Sequence, residues 1–269
     1  MNGTLAQTVA FAAHARARVL DIRLGGDEAY WERHSTLKYV RTLTFKTRKT
    51  GLFRLTEVAV ASSPSRWMST LSSDASVSLV SLGASGPLEA HIASAFVGGT
   101  REGIAVLREG SGNLWVPSWH AVAQYPDTKI WSVTYAATMC RRLTVAGKGL
   151  DVARTNLATA LSEIAAFAAA ESILSGWRAT FDDASDALNA AAPSPPYHPD
   201  ILPPDGYALP ARQLTAASVG AFVFGGMGSW NDCGFDDREV QTHYEEVTKN
   251  LYAAVVEALV SSVHSGLVL

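Results

Sequence analysis

The fold turns on the stretch from Lys129 to Ala168, KIWSVTYAATMCRRLTVAGKGLDVARTNLATALSEIAAFA. Lys129 to Tyr135 carries the two-residue alternation of a pleated strand, whereas from Leu150 onward Leu157, Leu161, Ile164 and Ala168 recur at helical spacing. The change of period near position 150 predicts a sheet that gives way to helices.

Toward the N-terminus the strand rhythm continues. Tyr39, Arg41, Leu43 and Phe45 alternate with Val40, Thr42 and Thr44, and the turn Lys49 to Gly51 leads into a second run through Phe53, Leu55, Val58 and Val60. The phase slip in that run predicts a bulge near Thr56. Further strands are expected at 77–82, 88–97, 103–108, 113–119 and 129–135, with Pro117 at an edge or a kink. Connections this short make neighbouring strands antiparallel. Ser63-Pro64-Ser65 opens a short helical turn with Pro64 in its first turn. Met1 to Leu20 reads as a first helix, with Thr4 as cap and Leu5, Val9, Ala12 and Val19 on one face.

Toward the C-terminus, Ile173, Trp177, Phe181, Ala184 and Leu188 continue the helical pattern after a break near Gly176. Seven of the eleven prolines lie between Pro193 and Pro210, so residues 192–210 read as an extended surface strap. Ala217 to Phe224 reads as a short strand or buried segment, and Val240, Tyr244, Val247, Leu251, Ala254, Ala258 and Val263 define a long final helix. The expectation is one α+β domain over 1–269: an antiparallel sheet of six to seven strands at 37–136, packed by N-terminal, central and C-terminal helices.

Composition narrows the function classes. The net charge of −3 and the absence of a basic stripe speak against nucleic acid. No apolar run approaches the ~20 residues that span a bilayer. Two distant cysteines, Cys140 and Cys233, form no disulfide framework, which fits a reducing cytoplasm. Neither CxxC nor HExxH occurs, so no metal site is expected and no cofactor is specified.

The densest polar and glycine cluster is residues 225–237, GGMGSWNDCGFDD. Glycines admit a ligand close to the backbone, so Gly226, Gly228, Ser229, Trp230 and Asn231 are candidate ligand-binding residues. The missing third glycine and missing lysine exclude dinucleotide and Walker loops. Helix capping accounts for Asp236 with Glu239, and for Asp237, without chemistry; Trp230 reads as a core or lid aromatic ahead of a ligand platform. Asp232 and Cys233 are not needed for a cap, and Cys233 with His243, or with His120 or His91, reads as a nucleophile and base. Against this stands a buried inert thiol. A carboxylate site from Asp232, Asp236 and Asp237 with His243 or Glu246 matches no calcium loop. His91 is expected on a sheet face beside Glu89, as an exposed ion pair.

Ser35-Thr36-Leu37-Lys38 fits S-x-x-K and Lys49-Thr50-Gly51 spells K-T-G, which resembles the serine β-lactamase motifs. The two are too close together, lack an intervening S-D-N, and a strand is expected where that serine opens a helix, so the match is set aside. Two functions remain as expectations: a non-catalytic cytoplasmic interaction or accessory protein that associates with a protein partner or itself, or a small-molecule hydrolase or transferase with its site at 225–237.

Overall fold

The computed structural model describes residues 1–20, 26–50, 55–123, 126–141, 143, 147–203 and 205–267. The fold is α+β. The first helix, α1 (Gly3–Val19), is capped by the Asn2 side chain on the amide of Leu5 rather than by Thr4. It is buried on almost every side, including Gln7, Thr8 and His14. A helix sealed all round is alanine-rich because small side chains let a sheet and other helices approach its backbone together. Arg16, half-buried, donates to the carbonyl of Val77 at 3.1 Å.

The chain continues through α2 (Glu28–Arg33) and a 3₁₀ turn (Ser35–Leu37) into the hairpin β1 (Val40–Thr50) and β2 (Leu55–Ala61). Next come α3 (Pro64–Ser69), β3 (Ser76–Ala84), α4 (Ala90–Ala93), β4 (Thr100–Arg108), β5 (Ser111–Ala121) and β6 (Trp131–Arg141). The strand order is β2-β1-β6-β5-β4-β3, antiparallel throughout except that β1 and β6 run parallel. Short connections force antiparallel pairing only between consecutive strands. After β2 the chain passes through α3 to the far edge and meanders back, so β6 meets a strand that it does not follow in sequence.

Several local expectations are corrected. The segment 88–97 is not a strand: it holds α4 and its flanking turns, and His91 is buried rather than paired on an open sheet face. A Cβ on Gly99 would fall 1.9 Å from the carbonyl oxygen of Ala93, so only glycine closes the turn into β4. The irregularity in the hairpin lies at Phe45/Lys46 opposite Ala59 to Ala61, while Thr56 pairs in register with Lys49; Gly51 and Phe53 lie outside the described residues. A second register shift, between Val40 and Thr42, places Val40 inside with Leu43 and Phe45 and leaves Tyr39 and Arg41 outside. Pro117 sits on an interior strand, but the β4–β5 ladder ends at Ile104–Trp115, so its missing donor has no neighbour to miss it on that side.

The second half is helical. The helices α5 (Leu150–Ala170) and α6 (Ser175–Ala187) meet at 118° across a short 3₁₀ turn. Ala217 to Gly220 belong to α7 (Leu209–Gly220), which takes Pro210 into its first turn, and Phe222, Val223 and Phe224 follow as buried irregular chain. The last helix is α8 (Arg238–Ser265). Its cap is Asp237, which accepts from the amides of Glu239 and Val240 at 2.8 and 3.1 Å, and not Asp236. Helices α5, α6, α7 and α8 pack on one another, and α8 reaches β3 and α1. One contiguous set of buried apolar residues runs from Leu5 through the sheet to Val263.

Phe11 of α1 is the hinge of this core, with the rings of Trp31, Tyr135 and Phe45 centred 5.2, 5.3 and 5.9 Å away. No single helix among the described residues is long and apolar enough to cross a membrane.

Candidate functional site

The glycine-rich segment does two separate jobs. Gly225, Gly226, Gly228 and Ser229 line a cleft of about 520 Å³ together with Tyr197 and Trp177. Gly228 takes φ 82°, and its amide donates to the carboxylate of Asp232, which closes the loop on itself. Ser229 donates to the carbonyl of Gly225 at 2.9 Å. The residues that follow turn inward. Trp230 is fully buried, donates from Nε1 to Thr248 Oγ1 at 2.8 Å, and its carbonyl accepts the Tyr244 hydroxyl. Asn231 donates to the carbonyl of His91 at 2.9 Å.

Asp232, Cys233 and His243 are not gathered into one constellation. Asp232 is spent on the Gly228 amide. Cys233 packs half-buried against the core, where burial and then Asp232 push its thiol pKa up, the wrong direction for a nucleophile. His243 is exposed on α8 with its ring 4.9 Å from Phe167. Among the described residues no hydrogen bond joins Cys233 to His243, His120 or His91.

A second cavity, of about 230 Å³, shares Asn2, Ser94 and Ala95 with the first. It opens where β1 and β6 begin, beside the N-terminal end of α1. Its walls are aromatic: Tyr39, Phe96, Trp119 and Trp131, the two tryptophans packed edge to face at 5.9 Å. Tyr39, Phe96 and Val97 stay more than half exposed at its rim. Among the polar residues of this lining, Ser35 and His198 come from distant parts of the sequence.

Their geometry is fixed by Asp200. One carboxylate oxygen of Asp200 accepts the Ser35 amide at 2.8 Å, and the other accepts the Ser35 hydroxyl. A carboxylate only accepts, so the single hydroxyl proton of Ser35 points at Asp200. Ser35 Oγ then accepts from His198 Nδ1, 2.9 Å away. The imidazole is thereby set as the Nδ1–H tautomer, with the lone pair on Nε2, which has no hydrogen bond among the described residues, and the residue lines the cavity. Burial is the first cause of a lowered His198 pKa, which keeps the ring neutral and basic in form.

His198 holds φ 52° immediately before Pro199, a position where a positive φ is costly. The other described non-glycine residue with positive φ, Glu109, sits in the tight turn between β4 and β5, where such angles are required. No hairpin explains His198. Strain of this kind persists only where surrounding contacts over-determine it. Those contacts come from the strap: Asp200 also accepts at its carbonyl from His34 Nε2 at 2.9 Å and from the Tyr30 hydroxyl, and Ile201 and Leu202 are buried beside it. His34 Nδ1 in turn accepts from the Thr36 amide and hydroxyl, so His34 is neutral, in keeping with a pKa lowered by burial. Behind it, Tyr30 meets His14 Nε2 at 3.1 Å, and burial with His34 holds the His14 pKa down to about 3.

Lys38 completes the S-x-x-K spelling but lies over the Tyr39 ring at 5.2 Å. Ser35 does open a 3₁₀ turn before β1, yet its partners are His198 and Asp200. Among the described residues no group of three His, Cys, Asp or Glu side chains is placed to hold a metal. The sequence signal for this site was PPYHPD at 195–200, a histidine and an acid two residues apart inside a proline strap. Its partner serine stands 163 residues away in sequence, beyond any local pattern. Compared with family models, curated proteins and solved structures, the chain matches none of them.

Proposed function

We propose that the protein is a small-molecule enzyme, a hydrolase in which His198 Nε2 is the general base. The observation that carries this reading is the Asp200–Ser35–His198 chain: a carboxylate orders a serine hydroxyl, and the serine fixes one imidazole nitrogen so that the other keeps the lone pair, in a residue that lines an aromatic cavity. Ser35 is a positioning residue here. Were it to lose its own proton, an alkoxide would form against the Asp200 carboxylate, which like-charge repulsion opposes. Water is therefore the nucleophile. Its oxygen attacks the carbonyl carbon of an acyl substrate while Nε2 takes the proton. The tetrahedral intermediate then expels the alcohol, which leaves with the proton returned from Nε2, and the acid remains. Gly3 and Thr4 bring the positive end of α1 to the same cavity, where a developing oxyanion gains from it. Both cysteines are free, which fits a cytoplasmic location.

The test is hydrolysis of 4-nitrophenyl acetate and 4-nitrophenyl phenylacetate by the wild type and by His198→Asn. Asparagine tolerates the left-handed backbone, so the loss is chemical rather than conformational. General-base removal costs about 10² to 10⁴ in kcat/KM. Equal rates for the two proteins refute the proposal.

A second reading, an interaction protein that self-associates, is favoured by the outer sheet face. There Val80, Ala105 and Leu107 form a small apolar cluster, apart from the main core, with half-buried Leu82, Leu114, Cys140 and Leu143 packed against it. Sedimentation equilibrium of the wild type against Leu114→Lys decides it: a dimer dissociated by the lysine supports this reading, and a monomer in both removes it.

A further inference from the structure

We infer that the substrate of this site is an ester joining an aromatic acyl group to a bulkier hydroxyl-rich alcohol, an inference that rests on the general-base reading above. The two cavities differ in chemistry and meet at Asn2, Ser94 and Ala95. The smaller, at about 230 Å³, is walled by Tyr39, Phe96, Trp119 and Trp131. An apolar cavity of about 150 Å³ takes up benzene, so this one holds a phenyl ring together with the carbonyl carbon attached to it. Ring edges and faces from two tryptophans, a tyrosine and a phenylalanine select a planar apolar group over a flexible chain.

His198 lies on the wall of this cavity while its neighbour Tyr197 lines the other, so the bond to be broken belongs at the junction between them. Beyond the junction the 520 Å³ cleft is lined by Gly220, Gly225, Gly226, Gly228, Ser229 and Thr180, with Trp177, Tyr197 and the chain at 222–224 as its apolar part. The Gly225 amide and carbonyl, the Gly226 carbonyl and the Gly228 amide are bonded within this segment, which leaves the Gly226 amide and the Gly228 carbonyl, with no side chain in front of them, as the groups without a partner among the described residues. Such a wall suits a leaving group rich in hydroxyls, in a cleft of the size that ordinarily takes a small organic molecule.

Binding is measured by calorimetry on the His198→Asn protein, which cannot turn the ligand over if the general-base reading is right. Three probes are used: the glycerol monoester of phenylacetic acid, methyl phenylacetate, and the glycerol monoester of acetic acid. The full probe is expected to bind at least about tenfold more tightly than either truncated one. Trp131→Ala weakens both phenylacetyl probes by about tenfold and leaves glycerol acetate unchanged. Gly226→Leu, at a residue that lines the cleft, weakens the two glycerol esters alone; a Cβ at Gly226 meets nothing within 4 Å and its φ is not in the left-handed region, so leucine does not strain the loop. Equal affinity for all three probes, no binding by any of them, or an unaltered glycerol-ester affinity in Gly226→Leu overturns the inference. Selective binding as described, with a wild type that hydrolyses no ester, would retain the ligand class and discard the general base.

Discussion

Replacing Phe11 by alanine tests the centre of the architecture, because α1, α2 and the strands β1 and β6 meet on that ring. Phe11 is fully buried, with three aromatic rings centred within 6 Å of its own. Losing the transfer free energy of the side chain costs about 2 kcal/mol. The void adds about 2 kcal/mol more, at roughly 24 cal/mol per Å³ over a volume on the order of 100 Å³. Collapse around the gap is resisted, since α1 is held by strands as well as by α8. The total, about 4 kcal/mol, lies within the 3–5 kcal/mol found for such truncations. It is a large part of the 5–15 kcal/mol that holds an ordinary domain folded. The corresponding fall in Tm is about 8–16 °C. Urea unfolding followed by far-ultraviolet circular dichroism gives the free energy, with Phe96→Ala as the control: Phe96 is 61% exposed and its loss costs under about 0.5 kcal/mol. A cost for Phe11→Ala below about 1.5 kcal/mol, or equal costs at both positions, would refute the placement of α1 inside the molecule.

Three further outcomes are expected. Asp237→Ala removes two cap hydrogen bonds and lowers stability by about 1 kcal/mol, whereas Asp236→Ala stays within about 0.5 kcal/mol, read from paired thermal melts. Glu102 is buried with neither carboxylate oxygen hydrogen-bonded, and burial raises its pKa. A raised folded-state pKa means stability that is whole below the unfolded value of 4.5 and declines as pH climbs through the folded one. Glu102→Gln should therefore match the wild type below that pH and exceed it at neutrality; a variant less stable at pH 7 contradicts this. In catalysis, a general base acts when neutral, and the lowered His198 pKa places the acid limb of kcat/KM below 6.5. Asp200 opposes that lowering, so Asp200→Asn moves the limb to still lower pH while reducing the rate; an acid limb above 6.5 in the wild type would exclude His198 as the base.

Local pattern carried the element types well where one physical rule acts alone. Leu157, Leu161, Ile164 and Ala168 form one buried face of α5, and Tyr244, Val247, Leu251 and Ala258 do the same in α8, because helical period and burial coincide there. Ser63 with Pro64 opens α3 as its composition says. Periodicity failed where neighbours decide. The segment 88–97 has strand-like composition, yet the turn at Gly98–Gly99 and the packing of His91 curl it into α4. In β1 a single register shift exchanged the inside for the outside. At 225–237 the glycines were legible as a place of close approach, but Asp232 and Cys233 had no visible reason to turn away from the cleft.

What the sequence alone determined is the order of its periods: a first helix, then mainly strands up to about position 150, helices after it, and a proline-rich strap between the central and final helices. Those follow from backbone sterics and from side-chain spacing, which are local. Only the tertiary structure decided that β6 runs beside β1, that the alanine-rich first helix is buried on almost every side, and that Ser35 meets His198 and Asp200. Such meetings depend on loop closure over more than a hundred residues, where the free energy comes from burying α1 and the strap against the sheet and not from any motif along the chain.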